Sequence, residues 1–237
     1  MTLSSALSRL DLDAGELEAL RALLQGAAAS LKEGQSSDAA EARTARTVSS
    51  CLSSLSPHAM QVQERAYVWR GTLPMLDASL LRAHQEEAAR HREQSQFTTR
   101  HLLFEGAPLA DRLANSAELR AFVEQQAAIE LPRDERSRSF YHYYLDPAHR
   151  VEPHIDVDDF ALSLLVMLDH PHAADVNSKL YLYPPGQDPL EFDLAPGEGV
   201  LFYSGSVIHA RSAPSADETV TTLSMGFRLQ TQQEVHS

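Results

Sequence analysis

A chain of 237 residues can bury one sizeable core, and a formal net charge of -13 argues against nucleic acid as a partner, because phosphate-backbone binding needs a basic stripe. Its one cysteine, Cys51, cannot close an internal disulfide and reads as an unreactive thiol in a Ser-rich stretch. No basic segment leading into an apolar run opens the chain, and no apolar run approaches about 18 residues, so a cytoplasmic protein with no membrane partner is expected.

Leu3 to Leu31 reads as one or two amphipathic helices. Leu17, Leu20, Leu23 and Leu24 recur at helical spacing, Asp13 is placed as N-cap with Glu16 at N3, and Gly26 is a stop signal. That face can pack on the rest of the chain or serve a second copy, so a homodimer through these helices is one option. Glu33 to Ser56 turns to Ser, Ala, Gln and Thr and reads as a linker, with helix propensity for a turn or two over Ala39 to Thr47. Residues 1–60 are therefore expected to be a helical extension and linker, and residues 61–237 the catalytic domain.

In that domain Tyr67 to Leu73 reads as a strand, and Asp77 to Glu93 as a helix turning Leu80, Leu81 and His84 inward. Phe97 to Phe104 follows as a strand. Ser116 to Ile129 is a helix ended by Pro132, and Arg133 to Arg138 a charged loop. After Ser139 the texture becomes extended. Phe140 to Leu145, Phe160 to Leu168, Lys179 to Tyr183, Glu191 to Leu194, Val200 to Ser204, Val207 to Arg211 and Val220 to Leu229 read as short strands between Pro, Gly and Asp turns. Short strands after helices predict an α+β chain whose strands form a rolled barrel or sandwich buttressed by helices.

His154 and Asp156, at i and i+2 of an extended segment, point the same way. His209, on a distant strand, can complete a two-His-one-carboxylate face. Such a face leaves positions open opposite the protein ligands and suits ferrous iron.

The order of these features resembles the iron(II)/2-oxoglutarate dioxygenases, in particular their prolyl-hydroxylase-like branch. The resemblance runs from residue 138 to 229 and rests on Tyr144, His154-x-Asp156, the strand Leu162 to Leu168, Leu194-Ala195-Pro196-Gly197-Glu198-Gly199-Val200-Leu201-Phe202, His209 with Pro214, and Gly226-Phe227-Arg228. It implies a double-stranded β-helix, a jelly-roll or cupin-like barrel. It also implies Fe(II) held by His154, Asp156 and His209, with 2-oxoglutarate and O2 as co-substrates, and no catalytic residues beyond the metal ligands.

The far carboxylate of 2-oxoglutarate needs a cation, since a buried unpaired carboxylate is costly. In the prolyl-hydroxylase pattern a Lys or Arg follows the distal His, where this chain has Glu218, Thr219 and Val220. Strand parity offers Arg228, 19 positions after His209, on one face with Thr222, Ser224 and Gly226. Arg211 shares the face of His209 and can reach either the co-substrate or an acidic substrate group; Lys179 is a third basic candidate. Tyr144 resembles the family's co-substrate-binding Tyr, with Tyr143 the alternative if the register shifts by one.

A carboxylate at position 156 favours hydroxylation or desaturation over halogenation. The expected substrate is a small molecule, an amino acid or natural-product intermediate, with a peptide side chain as the alternative and Asp158 as a partner for a substrate amine. A cupin metalloenzyme that does not use 2-oxoglutarate, and a metal-free binding module, are the rival readings.

Overall fold

The computed structural model describes residues 3–7, 9–32, 34, 36–56, 62, 67–98, 100–156, 160–171 and 177–229. Three helices come first: α1 (Leu3–Leu7), α2 (Ala14–Ala28) and α3 (Ala39–Ser54). The Asp13 side chain accepts from the Glu16 N–H while Glu16 reaches back to the Asp13 N–H, closing a capping box that fixes where α2 starts. Gly26 does not end the helix, which runs on to Ala28. The expected linker is instead largely α3. Asp38 caps it, and Val48, Cys51 and Leu52 are buried, so packing extends what local propensity alone would have left at a turn or two.

Strand β1 (Trp69–Thr72) leads to α4 (Ala78–His91), capped by Asp77 as its sequence predicts. The stretch expected as one strand near Phe97 is a hairpin, β2 (Gln96–Thr98) and β3 (His101–Glu105). Pro108, at the first position of α5 (Pro108–Ala114), supplies a helix start that the sequence reading passed over, and Ser116 caps α6 (Ala117–Ala127).

The remaining strands are β4 (Arg138–Tyr144), β5 (Val151–His154), β6 (Leu162–Asp169), β7 (Leu180–Tyr183), β8 (Leu190–Phe192), β9 (Glu198–Phe202), β10 (Ile208–Arg211) and β11 (Val220–Phe227). They form a seven-stranded sheet in the order β1-β9-β6-β11-β4-β3-β2 and a four-stranded sheet in the order β5-β10-β7-β8. All pairings are antiparallel. Apart from the β7–β8 hairpin, the chain from β4 to β11 changes sheet at each step. That weaving is the expected double-stranded β-helix, and it brings β5 and β10 side by side although dozens of residues separate them in sequence.

The larger sheet packs its outer face under α4, α5 and α6, where Ala88, Leu113, Leu119, Val123, Leu164, Leu223 and Met225 are buried. The smaller sheet is covered from outside by the N-terminal helices. Ala28, Val48 and Leu52 close over Ile155, Tyr181, Tyr183, Ile208 and Ala210. The inner faces of the two sheets leave a cavity of about 220 Å³. Among the described residues, no helix is long and apolar enough to cross a membrane.

Candidate metal centre

Register brings the cluster together. In the β5–β10 pairing His209 lies directly opposite His154, and their ring centroids are 4.2 Å apart. Between His154 and Asp156, Ile155 turns the other way into the apolar layer under α2 and α3, as period-2 alternation requires. The outer layer also holds the backbone here. Gln25 donates to the Ile155 carbonyl at 3.3 Å, Arg21 to the Gly205 carbonyl at 3.0 Å, and the Asp156 N–H to the Ser204 carbonyl at 2.9 Å.

One ligand atom each from His154, Asp156 and His209 lies within 4.8 Å of the others. His154 Nε2 is 3.3 Å from Asp156 Oδ1, and His209 Nε2 is 3.6 Å from Asp156 Oδ2. Each ring's Nδ1 faces a backbone carbonyl, that of Glu152 at 2.8 Å for His154 and that of Val207 at 3.1 Å for His209. A carbonyl accepts only, so Nδ1 carries a proton and Nε2 is the nitrogen left facing the shared space, where it meets either the Asp156 carboxylate or a cation. Ser163 donates to the carboxylate at 3.4 Å and itself accepts from the Ser204 hydroxyl at 2.6 Å.

The electrostatics fit a cation at this point. Burial opposes ionisation of Asp156, yet the two imidazoles beside it, His209 and His154, hold its carboxyl below the usual range. For His154, burial works against the proton, but the hydrogen bond and charge of Asp156 outweigh it and raise the imidazole. Burial and the neighbouring His154 lower His209 to about 4. Two imidazole Nε2 atoms and one carboxylate with an open side form a donor set suited to ferrous iron. Among the described residues no further carboxylate joins the cluster.

Beyond the cluster the cavity is walled by Leu103, Phe140, Val151, Phe160, Leu165 and Phe202. Gly226 makes room for one wall: a Cβ there would sit 2.2 Å from the Phe160 ring. Arg211 also lines the cavity and is 2 % exposed, and its guanidinium lies 5.4 Å from the centroid of the Tyr144 ring. Its Nη1 makes only long contacts to Ser178, at 3.4 Å, while Nε and Nη2 have no hydrogen-bond partner. Thr222 Oγ1 is likewise buried without one.

Tyr144 lines the cavity, whereas Tyr143 points to the helical layer and donates to the Ala88 carbonyl at 2.8 Å. Arg228 stands elsewhere. Strand β11 ends at Phe227, and Arg228 lies outside the cavity, exposed, with Glu135 at 3.2 Å. The parity that put Arg228 beside Ser224 holds only while the strand lasts. Lys179 is paired with Glu191 at 3.0 Å and does not line the cavity either. Asp158 is outside the described residues. The sequence reading missed His101 and His142, which line the cavity; the available signal was that His142 shares the parity of Tyr144.

No protein-family model and no curated protein matches this chain. Solved structures do. A Pseudomonas putida prolyl-4-hydroxylase superposes with a TM-score of 0.57 at 20% identity over 68% of this chain and 92% of its own. A 2OG-Fe(II) oxygenase family protein from Burkholderia pseudomallei gives 0.56 at 18%, over 73% and 89%. EctD from S. alaskensis, solved with 2-oxoglutarate and 5-hydroxyectoine, gives 0.54 at 16%, over 72% and 76%. At these identities the shared property is the fold, the double-stranded β-helix of the 2-oxoglutarate/Fe(II) oxygenases.

Proposed function

We propose that this chain is an iron(II)/2-oxoglutarate-dependent oxygenase that hydroxylates an unactivated C–H bond of a small molecule, an amino acid or natural-product intermediate. One observation carries the reading. A two-His-one-carboxylate cluster shares a single cavity with a fully buried guanidinium that has two unpartnered donors.

His154, Asp156 and His209 would hold the iron, which when bound supplies oxygen activation coupled to oxidative decarboxylation of a 2-oxo acid. Everything else falls to the chain. Arg211, not Arg228, takes the far carboxylate of 2-oxoglutarate through Nε and Nη2, a fork suited to two parallel hydrogen bonds. Tyr144 backs the guanidinium with its ring and turns its hydroxyl to the same ligand. Phe140, Phe160 and Phe202 exclude water and fix where a substrate C–H bond lies.

The test is succinate formation by the purified full chain with Fe(II), O2 and 2-oxoglutarate, run with and without a panel of amino acids. Succinate in amounts matching 2-oxoglutarate consumed is expected, with one panel class raising the rate. Iron uptake without any 2-oxoglutarate turnover would instead favour a cupin-type activity.

A further inference from the structure

Two more imidazoles line the cavity and take no part in the metal cluster. His101 on β3 and His142 on β4 are joined by a bond of 2.9 Å between His101 Nε2 and His142 Nδ1. Their ring centroids are 5.1 Å apart, and His101 stacks on Tyr144 at 5.0 Å with the planes 12° apart. The pair is therefore held on two sides. Each ring spends one nitrogen on the other, and His142 Nε2 and His101 Nδ1 bond to no described residue.

Burial lowers His101 to about 3 and, against the opposing charge of Asp156, His142 to about 4, so both rings are neutral near pH 7. A neutral pair sharing one proton has two arrangements. Either His101 Nε2–H donates inward and His142 Nε2 carries a hydrogen, or the bond runs the other way and His142 Nε2 is a bare acceptor. What faces His142 decides between them.

Its surroundings are rich in donors. Thr222 lies directly across from His142 in the β11–β4 register, and Tyr144 is two residues along β4. Arg211 lines the same cavity, its guanidinium 5.4 Å from the centroid of the Tyr144 ring on which His101 stacks. Among the described lining residues Asp156 is the one carboxylate, and the metal cluster uses it. A ligand that satisfies this wall must bring several acceptor oxygens, and an acceptor selects the arrangement with hydrogen on His142 Nε2.

We propose that His142, with its tautomer fixed by His101, is a co-substrate-positioning residue whose Nε2–H donates to a carboxylate oxygen of the 2-oxoglutarate that Arg211 anchors. This rests on the oxygenase reading above. It assigns the imidazole pair to the co-substrate and leaves the apolar wall of Leu103, Phe140 and Phe160 to the substrate.

The test uses the full chain loaded with Zn(II) in place of iron, labelled with 15N at histidine and titrated with 2-oxoglutarate. The nitrogen spectrum should show His142 with hydrogen on Nε2 in the complex and a shift of that signal on binding. Alongside it, His142→Phe should weaken 2-oxoglutarate binding about tenfold while Zn(II) affinity stays within about twofold, and His142→Gln, which restores an N–H, should recover part of the loss. A His142 bearing its hydrogen on Nδ1 in the complex overturns the proposal, and so does wild-type affinity for 2-oxoglutarate in a folded Phe variant. The spectrum needs no substitution, so it decides even if a variant fails to fold. If the unsubstituted, Zn(II)-loaded chain binds no 2-oxoglutarate at all, the oxygenase reading itself falls.

Discussion

Glu218 and Arg211 are both charged, both essentially removed from solvent, and treated in opposite ways by the fold. Glu218 is 1 % exposed, and its carboxylate accepts from His170 at 2.7 Å and from the backbone N–H groups of Ser178 and Ser215 at 3.0 and 2.9 Å. Glu87 is treated likewise, accepting from the Leu109 and Ala110 N–H groups and from the Tyr141 hydroxyl. Arg211, 2 % exposed, keeps two nitrogens without partners. Buried polar groups are nearly always satisfied, so the difference separates charges that finish the structure from one left unsatisfied, which on the proposed function is completed by a ligand.

Activity should break first on the unsatisfied side. Asp156→Ala removes the carboxylate that both imidazoles face, so turnover of 2-oxoglutarate should fall on the order of 10³-fold or more, together with Fe(II) uptake. Arg211→Met comes next. Truncating one member of a buried charge pair typically costs about 2–5 kcal/mol of binding, so 2-oxoglutarate affinity should fall about 10²-fold, measured calorimetrically on metal-loaded protein. The same variant should melt no lower than the wild type, because an apolar side chain relieves an unpaired buried charge. A large drop in melting temperature would make Arg211 a second Glu218 and erase the contrast.

How much of this was legible beforehand follows from which forces decide each feature. His154-x-Asp156 could be read because alternation on an extended segment is local, and His209 because its strand follows a Pro-Gly turn. Strand parity and offset favour Arg228 over Arg211 as the anchor. The choice depends on where β11 stops pairing, and it stops at Phe227. Helix α3 was hidden because Ser and Ala carry little periodic signal; its stability comes from burial on the smaller sheet, seen in Ser53 donating to the Ser206 carbonyl at 3.2 Å. His101 and His142 meet only through the pairing of β3 with β4, which neither segment announces alone.

On the satisfied side the expected loss is in stability. Glu218→Gln turns one acceptor into a donor facing N–H groups, and should cost about 2–3 kcal/mol, or roughly 5–10 °C in melting temperature, with turnover per folded molecule retained. The pH dependence has a definite sign. Burial pushes Glu218 up, but the His170 hydrogen bond and the backbone N–H groups of Ser215 and Ser178 outweigh it and lower the folded-state value below 4.5. A depressed carboxylate stabilises fully above its unfolded pKa and loses that contribution as pH falls through the folded one. Thermal melts should therefore show a constant gap between wild type and Glu218→Gln down to about pH 5, narrowing at lower pH.

The smallest effect belongs to the charge that is neither buried nor in the cavity. Arg228 and Glu135 meet at 3.2 Å with side chains 48% and 41% exposed, where water screens the pair and two long side chains lose freedom by meeting. Arg228→Ala should change stability by no more than about 0.5 kcal/mol and leave 2-oxoglutarate affinity within twofold. Because Arg228 is the basic residue that strand parity alone selects, this near-silent substitution bears directly on the contrast. A tenfold weakening of 2-oxoglutarate binding in Arg228→Ala, with Arg211→Met unaffected, would move the anchor out of the buried cavity and leave the unpartnered nitrogens of Arg211 without a ligand.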